Sequence, residues 1–276
     1  MNPVSQEVLA NAAAAIKQAN SLIVTAGAGM GVDSGLPSFR DDQGFWNAYP
    51  EYQKLGMNFM NIANPRRFAE DPQLGWGFYG HRANLYRGAQ PHEGFAIILD
   101  WIKRFDFPWF VVTSNVDGQF QKAGFDEERV VEVHGSIHHM QCMGPCLPHI
   151  WPHDEVFDIN MSTMRSQTIP KCPHCGHTAR PNILMFGDFQ WIPTRSNAQQ
   201  KRFERFLDGC PKPITVVEIG AGRAIPTIRR EGEKLARVHG GVVVRINPRE
   251  PEIDAPHISM PAAGAFALAE VNKLLK

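Results

Sequence analysis

Two pairs of cysteines stand close together in the middle of the sequence. Three residues separate Cys142 from Cys146, two separate Cys172 from Cys175, and 25 residues lie between the pairs. Four thiolates grouped in this way are the soft ligands of a tetrahedral structural zinc site. The alternative is a redox pair or unliganded thiols, as is expected for Cys210, which stands apart. We predict one structural zinc ion, bound by the four paired cysteines.

A glycine-rich stretch follows the apolar run Leu22–Thr25. Gly27, Gly29 and Gly31 offer bare backbone amides, which can approach the pyrophosphate of a nucleotide closely. The spacing is not the G-x-G-x-x-G of hydride-transferring dehydrogenases, and no acidic residue closes a second strand about 20 residues further on. The stretch indicates a phosphate-binding loop, and the alternative is a glycine-rich turn that holds no ligand.

Polar side chains directly follow two further apolar runs. Ser114, Asn115 and Asp117 come after the first of these runs, and His134 comes after the second. The ends of buried strands are where α/β folds place functional side chains. A histidine at such a position is suited to act as a general base near neutral pH. The alternatives are an Asx-type turn at the first cluster and a structural histidine at the second.

Short apolar runs of four to six residues recur along the chain and are typical of strands buried on both faces of a parallel sheet. They are Leu22–Thr25, Trp109–Thr113, Val130–Val133, Ile183–Phe186, Ile214–Ile219 and Val242–Ile246. Segments that favour helices are Val4–Asn20, Gln199–Leu207, Ile225–His239 and Ala263–Leu275. This alternation predicts an α/β fold with a Rossmann-like, doubly wound parallel sheet, in which ligands bind beyond the carboxyl ends of the strands.

Two segments interrupt the alternation. Residues 42–95 contain aromatic, proline and polar residues and indicate a helical lid or insertion. Residues 137–180 hold the paired cysteines and show little hydrophobic periodicity, so we expect a metal to organise them. We therefore predict a Rossmann-like domain of residues 1–136 and 181–276, with 137–180 inserted as a small zinc-binding module.

The composition is that of an ordinary globular protein, with 43% hydrophobic and 20% charged residues among 276. Lys plus Arg and Asp plus Glu both total 28, so the formal net charge is zero. Because nucleic-acid-binding domains usually carry a basic excess, we expect no direct nucleic-acid partner. No stretch approaches 18 apolar residues and the first 20 residues do not have the pattern of a signal peptide, so we expect a cytoplasmic location and no membrane association.

These elements, in this order, resemble the sirtuin family from about residue 22 to residue 247. The matching stretches are GAGMGVDSGLPSFR at 27–40, TSNVD at 113–117, HG at 134–135, the paired cysteines, RPNILMFGD at 180–188, IGAG at 219–222 and RIN at 245–247. The resemblance implies an NAD-dependent protein deacylase. It would have a Rossmann-like large domain and an inserted structural zinc module, with NAD between them and opposite an acylated lysine peptide.

The resemblance also implies roles for individual residues. His134 would be the catalytic base, Asn115 and Asp117 would line the nicotinamide and ribose pocket, and Asn247 would hold the adenosine ribose. The full set implied to bind NAD is Gly27, Ala28, Gly29, Phe39, Arg40, Ser114, Asn115, Asp117, Gly220, Ala221, Gly222 and Asn247. In the chemistry of this family, the acyl oxygen attacks the ribose carbon that bears nicotinamide. The base then helps to deprotonate a ribose hydroxyl, and the acyl group moves onto ADP-ribose.

Two further matches concern the acylated protein substrate. Tyr79 and Arg82 are similar to the Tyr-x-x-Arg of sirtuins that prefer acidic acyl groups, and would bind a succinyl or malonyl carboxylate. The alternative is an amphipathic helix turn whose arginine faces solvent. Residues 182–188 look like a strand that pairs with the substrate backbone, which would place the peptide beside it. The residues implied at the peptide are Phe186, Gly187 and Asp188.

The sequence departs from the family pattern at four places. Gly31 stands where serine is usual, Ser114 where glutamine is usual, and Asp188 where glutamate is usual, while residues 220–222 read Gly-Ala-Gly in place of Gly-Thr-Ser. The changes at 31, 114 and 220–222 remove or shorten polar side chains that would face NAD, at about 1 kcal/mol for each lost hydrogen bond. They leave open mono-ADP-ribosyl transfer to protein and NAD hydrolysis, and a non-catalytic NAD or ADP-ribose sensor is a further alternative. A zinc ribbon that binds nucleic acid is disfavoured, because the cysteine segment is poor in basic residues.

Overall fold

The computed structural model describes residues 4–38 and 42–276. Phe39 and Arg40, two of the residues expected to bind NAD, lie outside the described residues. The strands are β1 (Ser21–Ala26), β2 (Trp109–Thr113), β3 (Val130–Glu132), β4 (Gly135–Cys142), β5 (Ile150–Pro152), β6 (Ile159–Asn160), β7 (Arg165–Ser166), β8 (Ala179–Ile183), β9 (Ile214–Ile219), β10 (Val242–Ile246) and β11 (Ile258–Met260).

Helices alternate with the strands of the large sheet, as the sequence predicts. They are α1 (Gln6–Lys17), α2 (Asp42–Ala48), α3 (Pro50–Lys54), α4 (Phe59–Ile62), α5 (Arg66–Glu70), α6 (Pro72–Gly88), α7 (Glu93–Arg104), α8 (Gln119–Lys122), α9 (Thr194–Gly209), α10 (Thr227–His239) and α11 (Gly264–Leu275). Short 3₁₀ helices cover Ala28–Ser34 and Glu127–Arg129.

The large sheet is parallel, with the strand order β11-β10-β9-β1-β2-β3. The order reverses between β1 and β9, which is the doubly wound arrangement and marks the point where such folds bind ligands. In the register of the sheet, Ala26 of β1 pairs with Thr113 of β2 on one side and with Ile219 of β9 on the other. Thr113 pairs in turn with Glu132 of β3, and Ile219 pairs with Ile246 of β10. The loops that follow five of the strands therefore begin at one edge of the sheet.

Helices cover both faces of this sheet. Val24 of β1 belongs to the apolar core beneath α1, α7 and α11, where Trp101 is fully buried. Its neighbour Ile23 belongs to the core on the opposite face, beneath α9 and α10, where Phe203 is fully buried. Successive side chains of a strand point to opposite faces, so a strand buried on both sides is mainly apolar. The predicted Rossmann-like, doubly wound fold is confirmed.

One strand prediction is wrong. Residues 183–186 were expected to form a strand of the parallel sheet, but only Ile183 of this run is in a strand, β8. The pairing of residues 182–188 with the substrate backbone stays a prediction. Strand β8 pairs antiparallel with β4 in a separate sheet, and residues 184–188 contain no strand. The run is apolar because Ile183 and Met185 pack against the helical segment. Strand β11 has no sequence signal, since three residues are too few to show periodicity.

The inserted segments pack against each other. Strands β5, β4 and β8 form an antiparallel sheet, β6 and β7 form a hairpin, and helices α2 to α6 cover them. Helix α6 approaches β7 closely because Gly77 has no side chain, and a Cβ there would lie 1.8 Å from the carbonyl oxygen of Met164. Beside it, Trp76 stacks on Phe157 with 4.7 Å between ring centroids. The helical insertion and the small module thus share one apolar core.

Candidate active site

A cavity of about 620 Å³ opens at the carboxyl edge of the parallel sheet. Its volume lies within the range of 300 to 1,000 Å³ that is usual for small-molecule and cofactor sites, so a dinucleotide is a reasonable occupant. Residues expected to act on NAD that line it are Gly27, Ala28, Ser114, Asn115, Asp117, His134, Gly220, Ala221 and Gly222. Residues expected at the acylated substrate that line it are Tyr79, Arg82 and Phe186. The fold therefore brings together side chains that are far apart in the sequence.

Asn115 joins the ends of two neighbouring strands. Its side-chain Nδ2 donates to the carbonyl oxygen of Gly27, which follows β1, at 3.0 Å. Its backbone N–H donates to Oγ1 of Thr113 at 3.0 Å, and that hydroxyl donates to the carbonyl oxygen of Ala26. This network fixes the amide in one orientation at the cavity wall. Thr113 is thus a positioning residue that the sequence reasoning did not identify.

Asp117 is a buried carboxyl group in the cavity wall. Burial raises its pKa to about 6. The hydrogen bond that its Oδ1 accepts from the backbone N–H of Gln119 opposes this effect and lowers the pKa. The neighbouring carboxylate of Glu132 raises the pKa further, and the guanidinium of Arg82 lowers it. Removing a carboxylate from water disfavours its charged form, which is the cause of the main shift. Asp117 therefore changes its charge close to physiological pH.

His134 follows β3 and lines the same cavity. Burial lowers its pKa, and a hydrogen bond to the backbone of Ser114 opposes this effect. The following residue must be glycine, because Gly135 has a φ of 80° and a Cβ there would lie 2.0 Å from the carbonyl oxygen of Asn182. The close approach of β8 thus explains the His-Gly pair of the sequence. The imidazole is predominantly neutral at pH 7, as a general base must be.

The glycines of the first loop bring two turns into contact. Gly29 donates its backbone N–H to the carbonyl oxygen of Gly220 at 3.0 Å. A Cβ at Gly220 would lie 2.4 Å from the backbone of Gly29, and a Cβ at Gly27 would lie 2.8 Å from the carbonyl oxygen of Gly220. Packing between the loops after β1 and β9 therefore requires glycine here. Ala28, which follows Gly27, and Ala221, which follows Gly220, line the cavity. Gly29 lines a smaller neighbouring cavity.

Asn247 lies behind the cavity wall. Its side chain is fully buried, and its Nδ2 donates to the carbonyl oxygen of Ala221 at 2.8 Å. Its Oδ1 accepts from the backbone N–H groups of Arg249 and Glu250, both at 3.0 Å. These bonds occupy the side chain with the protein backbone. Asn247 thus shapes the loop that lines the cavity, rather than reaching into the cavity itself.

Tyr79 and Arg82 lie on α6, and both are buried in the wall of the cavity. The Nε and Nη2 atoms of Arg82 donate to the hydroxyl oxygen of Tyr86, at 2.8 and 2.6 Å. Burial raises the pKa of Tyr79 to about 12, although the charge of Arg82 lowers it. Tyr86 also lines the cavity, and its position four residues after Arg82 on a helix is a signal that the sequence reasoning missed. The alternative of a solvent-facing arginine is excluded.

Asp188 does not face the cavity. Its carboxylate forms a bidentate ion pair with Arg180, with distances of 2.7 and 2.9 Å, and both side chains are fully buried. Gly187 forms a turn with a φ of 64° and is not in the lining. The ion pair anchors this turn to β8, which leaves Phe186 as the residue of the three that lines the cavity.

The four paired cysteines form a cluster, as predicted. Their Sγ atoms all lie within 4.8 Å of one another, and the Cys142–Cys175 and Cys146–Cys172 pairs are 3.6 and 3.7 Å apart. Four sulfurs at about 2.3 Å from a central zinc ion would be roughly 3.8 Å apart at the corners of a tetrahedron. The donor set and the spacing therefore fit one structural zinc ion. Cys210 lies elsewhere, in the core beneath α9 and α10.

Comparison with known proteins agrees with this geometry. The model of the Sir2 family matches residues 27–204. A protein of Thermococcus sibiricus named NAD-dependent protein deacylase is 27% identical over 264 residues, which are 95% of this chain and 91% of that protein. One of the same name from Aquifex aeolicus is 29% identical over 235 residues, covering 84% of this chain and 85% of that protein.

Solved structures of Sir2 homologues have the same fold. One in complex with ADP-ribose has a TM-score of 0.72 and 24% identity, covering 98% of this chain and 96% of that chain. One in complex with NAD has a TM-score of 0.73 and 23% identity, covering 98% of this chain and 93% of that chain. Because the family model covers more than half of the sequence, this chain belongs to the Sir2 family. The predictions of a sirtuin-type enzyme, of NAD as co-substrate and of a zinc-binding cysteine cluster are confirmed.

In the described parts of the chain, every helix is too short or too polar to cross a lipid bilayer.

Proposed function

We propose that this chain is an NAD-dependent protein lysine deacylase that moves the acyl group of an acylated lysine onto ADP-ribose and releases nicotinamide. The observation that carries the proposal is the convergence of Asn115, Asp117 and His134 on one cavity, together with the glycine turn after β1. A module that only bound NAD would have no use for a neutral imidazole in this position. The non-catalytic sensor is therefore the weaker hypothesis.

His134 is the proposed general base. The Ser114 backbone occupies one ring nitrogen, which leaves the other with a lone pair that can accept a proton from a ribose hydroxyl. Burial keeps the ring neutral, because removal from water disfavours the imidazolium form. The same ring can then return the proton to a group that leaves, so one residue serves both directions of proton transfer.

Asn115 and Asp117 are proposed to hold the reacting part of the co-substrate. Bound NAD supplies an ADP-ribosyl group whose bond to nicotinamide is broken. Because Nδ2 of Asn115 is bonded to Gly27, we expect the ligand to meet this side chain through Oδ1. Asp117 can donate a hydrogen bond when protonated and accept two or more when ionised, and with a pKa of about 6 both forms are accessible.

An acidic acyl group is the proposed preferred substrate. Arg82 is buried in the cavity wall, and it lies between the aromatic rings of Phe78, Tyr79 and Tyr86, each within 5.1 to 5.7 Å of its guanidinium carbon. These rings and the hydroxyl of Tyr86 hold the guanidinium in place. A fixed guanidinium in a low-dielectric wall binds a carboxylate more strongly than an exposed one. Succinyl-lysine and malonyl-lysine therefore match this end of the cavity better than acetyl-lysine.

The peptide is proposed to lie along residues 184–189. Phe186 lines the cavity, and its backbone N–H is bonded to the carbonyl oxygen of Ala63 at 3.0 Å. Gly187 and Asp188 then act indirectly, since their turn and the buried ion pair with Arg180 fix the position of this segment. Phe189, which is 99% exposed, directly follows them and is available to an incoming chain.

Product analysis tests the proposal. The purified protein is incubated with NAD and with acetyl-, malonyl- or succinyl-lysine peptides, and the products are identified by mass spectrometry. We expect nicotinamide, deacylated peptide and O-acyl-ADP-ribose in equal amounts. His134→Ala should abolish all three products while NAD binding persists. The matched control is His239→Ala, which changes a histidine at the opposite edge of the sheet and should leave turnover unchanged.

Other products would contradict the proposal in distinct ways. Label from NAD retained on protein would indicate mono-ADP-ribosyl transfer. Nicotinamide released without loss of the acyl group would indicate NAD hydrolysis. NAD binding without nicotinamide release would indicate a sensor. Undiminished turnover in His134→Ala would remove this residue from the role of base.

Three expectations from the sequence stay predictions beside this proposal. They are the cytoplasmic location, the lack of a direct nucleic-acid partner, and the division into a domain of residues 1–136 and 181–276 with a module of residues 137–180. The antiparallel sheet of the small module runs from Gly135 to Ile183, so we propose that the module includes these flanking residues as well.

A further inference from the structure

Helix α6 carries two sets of residues on opposite sides of its axis. The set that lines the cavity is spaced three and four positions apart and consists of Tyr79, Arg82 and Tyr86. A second set has the same spacing, begins two residues earlier, and consists of Gly77, Gly80 and Asn84. Because each residue of an α-helix turns the chain by about 100°, a shift of two residues is a rotation of about 200°. We call the second set the rear stripe, since it faces away from the cavity.

The rear stripe packs against the small module. Gly77 lies against the carbonyl oxygen of Met164, and a Cβ at Gly80 would lie 2.7 Å from the ring of Phe157. One turn further along the helix, Nδ2 of Asn84 donates to the carbonyl oxygen of Phe157 at 2.8 Å. The Oδ1 atom of Asn84 accepts from the backbone N–H of the same residue at 3.0 Å. Each position of the rear stripe thus contacts the backbone or a side chain of the module.

The amide of Asn84 takes the place of a strand partner for Phe157. Residue 157 lies between β5 and β6, in a segment that forms no strand. A primary amide offers a donor and an acceptor side by side, as a backbone residue does when it exchanges two hydrogen bonds with a residue of an antiparallel strand. A single orientation of the amide satisfies both backbone groups of Phe157. The pair of bonds therefore fixes this side chain relative to the module.

Bonds on either side of Asn84 also join α6 to the module. Trp76 donates from Nε1 to the carbonyl oxygen of Ala179, and Arg87 donates from Nη2 to that of His153, both at 2.9 Å. Together with Asn84, they set the rotation of the helix about its axis. A rotation of about 10° would move a group at the outer radius of about 6 Å by roughly 1 Å. Misplacement on that scale is enough to weaken a contact that depends on precise orientation.

We propose that Asn84 is a positioning residue that sets the acyl selectivity of the cavity, because it fixes the rotation of α6 and with it the guanidinium of Arg82. This inference rests on the proposed function, in which Arg82 binds the carboxylate of an acidic acyl group. An acetyl group has no carboxylate and does not depend on that contact. The reacting groups are placed by other elements, since Asn115 follows β2 and His134 follows β3. Loss of the Asn84 amide should therefore affect acidic acyl groups selectively.

Steady-state kinetics with succinyl- and acetyl-lysine peptides at saturating NAD test this inference. The value of kcat/KM for each peptide is measured for the wild type, Asn84→Ala and Gly80→Ala. The first variant releases α6 from the backbone of Phe157, and the second pushes the helix away from the ring with an added methyl group. We expect the ratio of succinyl to acetyl kcat/KM to fall about tenfold in each variant. The loss should lie mainly in KM for the succinyl peptide, since the carboxylate contact is made before and during the reaction alike.

A double variant shows whether Asn84 acts through Arg82. In the background of Arg82→Met, Asn84→Ala should change the ratio no further, because the guanidinium that it positions is absent. The matched control is Asn197→Ala, which changes an exposed asparagine of α9 and should keep the wild-type ratio. If Asn84→Ala does not fold, Asn84→Ser takes its place, since it keeps a polar group at this half-buried position.

The outcomes separate this inference from the proposed function. Equal losses for both peptides in the Asn84 variant, or an unchanged ratio, would overturn the inference alone and leave Asn84 with a purely structural role. A tenfold effect of Asn84→Ala that persists in the background of Arg82→Met would do the same. A wild type that shows no preference for the succinyl peptide would instead overturn the proposed acyl preference, and this inference with it.

Discussion

The side-chain Nδ2 of Asn115 donates to the carbonyl oxygen of Gly27 across 3.0 Å, although the two residues are 88 positions apart in the sequence. The bond ties the loop after β2 to the loop after β1, and both residues line the same cavity. One side chain thus holds the glycine turn, and under the proposed function its remaining amide oxygen would meet the ligand.

Asn115→Asp should destabilise the fold as well as stop the reaction. A carboxylate cannot donate to the Gly27 carbonyl, and two acceptors would then face each other in a buried place. The cost should be about 1 to 3 kcal/mol in the free energy of unfolding. Urea unfolding of this variant and of Asn115→Ala, which removes the bond without adding a charge, measures the effect. Equal stability of wild type and Asn115→Asp would contradict the role of this bond.

The pH dependence of turnover should reflect the buried imidazole. Because burial lowers the pKa of His134 below its usual value of 6.5, the neutral base persists into more acidic solution. The acidic limb of kcat/KM should therefore have its midpoint below pH 6.5. Asp117, with a pKa of about 6, can titrate in the same range, so the profile is repeated with Asp117→Asn. A midpoint above 6.5 in both proteins would contradict a neutral, buried His134.

Asp117→Asn should stabilise the protein at neutral pH. The pKa of this carboxyl rises from 3.8 to about 6 on folding, so the folded state binds the proton more tightly than the unfolded state. Ionisation therefore costs stability, on the order of 3 kcal/mol above pH 6 and none well below pH 3.8. The variant, which keeps an acceptor for Gln119, should gain this stability at pH 8 and about half of it at pH 5.

Urea unfolding at the two pH values checks this prediction, with exposed Asp254→Asn as the control. A variant that gains equally at both values, or that loses stability at pH 8, would show that Asp117 is not held in a desolvated environment.

Loss of one zinc ligand should destabilise the small module. Cys172→Ser weakens a tetrahedral thiolate site, and binding energy in such sites contributes directly to folding. We expect less than one zinc ion per chain and a lower Tm, with a similar Tm after chelation of the wild type. The control variant is Cys210→Ser, which changes a buried thiol outside the cluster and should retain one zinc ion per chain. Metal analysis measures the zinc content of each variant, and thermal melting measures its Tm. Full zinc content in Cys172→Ser would exclude this residue as a ligand.

Arg82→Met should abolish a preference for acidic acyl groups. The substitution removes the guanidinium that is proposed to meet a succinyl carboxylate, so kcat/KM for a succinyl peptide should fall by about 10- to 100-fold. Turnover of acetyl peptide should fall much less. Tyr86→Phe, which removes the hydroxyl that binds Arg82, should show a smaller loss. Parallel losses for both peptides would show that Arg82 supports the structure without reading the acyl group.

Five of the six parallel strands were predictable because they are buried on both faces and are therefore mainly apolar, whereas β11 is too short to show this pattern. The run from 183 to 186 shows the limit of this reasoning, since an apolar run does not reveal which sheet or core it joins. Likewise, the cysteine spacing predicts the zinc cluster, but Asn247 matches a ligand-binding motif and yet bonds to backbone groups. A motif identifies the residue, and neighbouring groups decide what its atoms are free to bind.

The sequence by itself determined the fold class and the cysteine cluster, because periodicity and short-range spacing are local properties of the chain, and its ordered motifs carried the resemblance to the family. Only the tertiary structure decided how the loops after five strands meet, since their distances depend on the register of the sheet. The tertiary structure also shows that Arg82 lies among aromatic rings and that Asp188 forms a buried ion pair with Arg180. It shows that Glu250 lines the cavity. Burial and long-range contacts set charge, pKa and access, and none of these can be obtained from residues adjacent in the sequence.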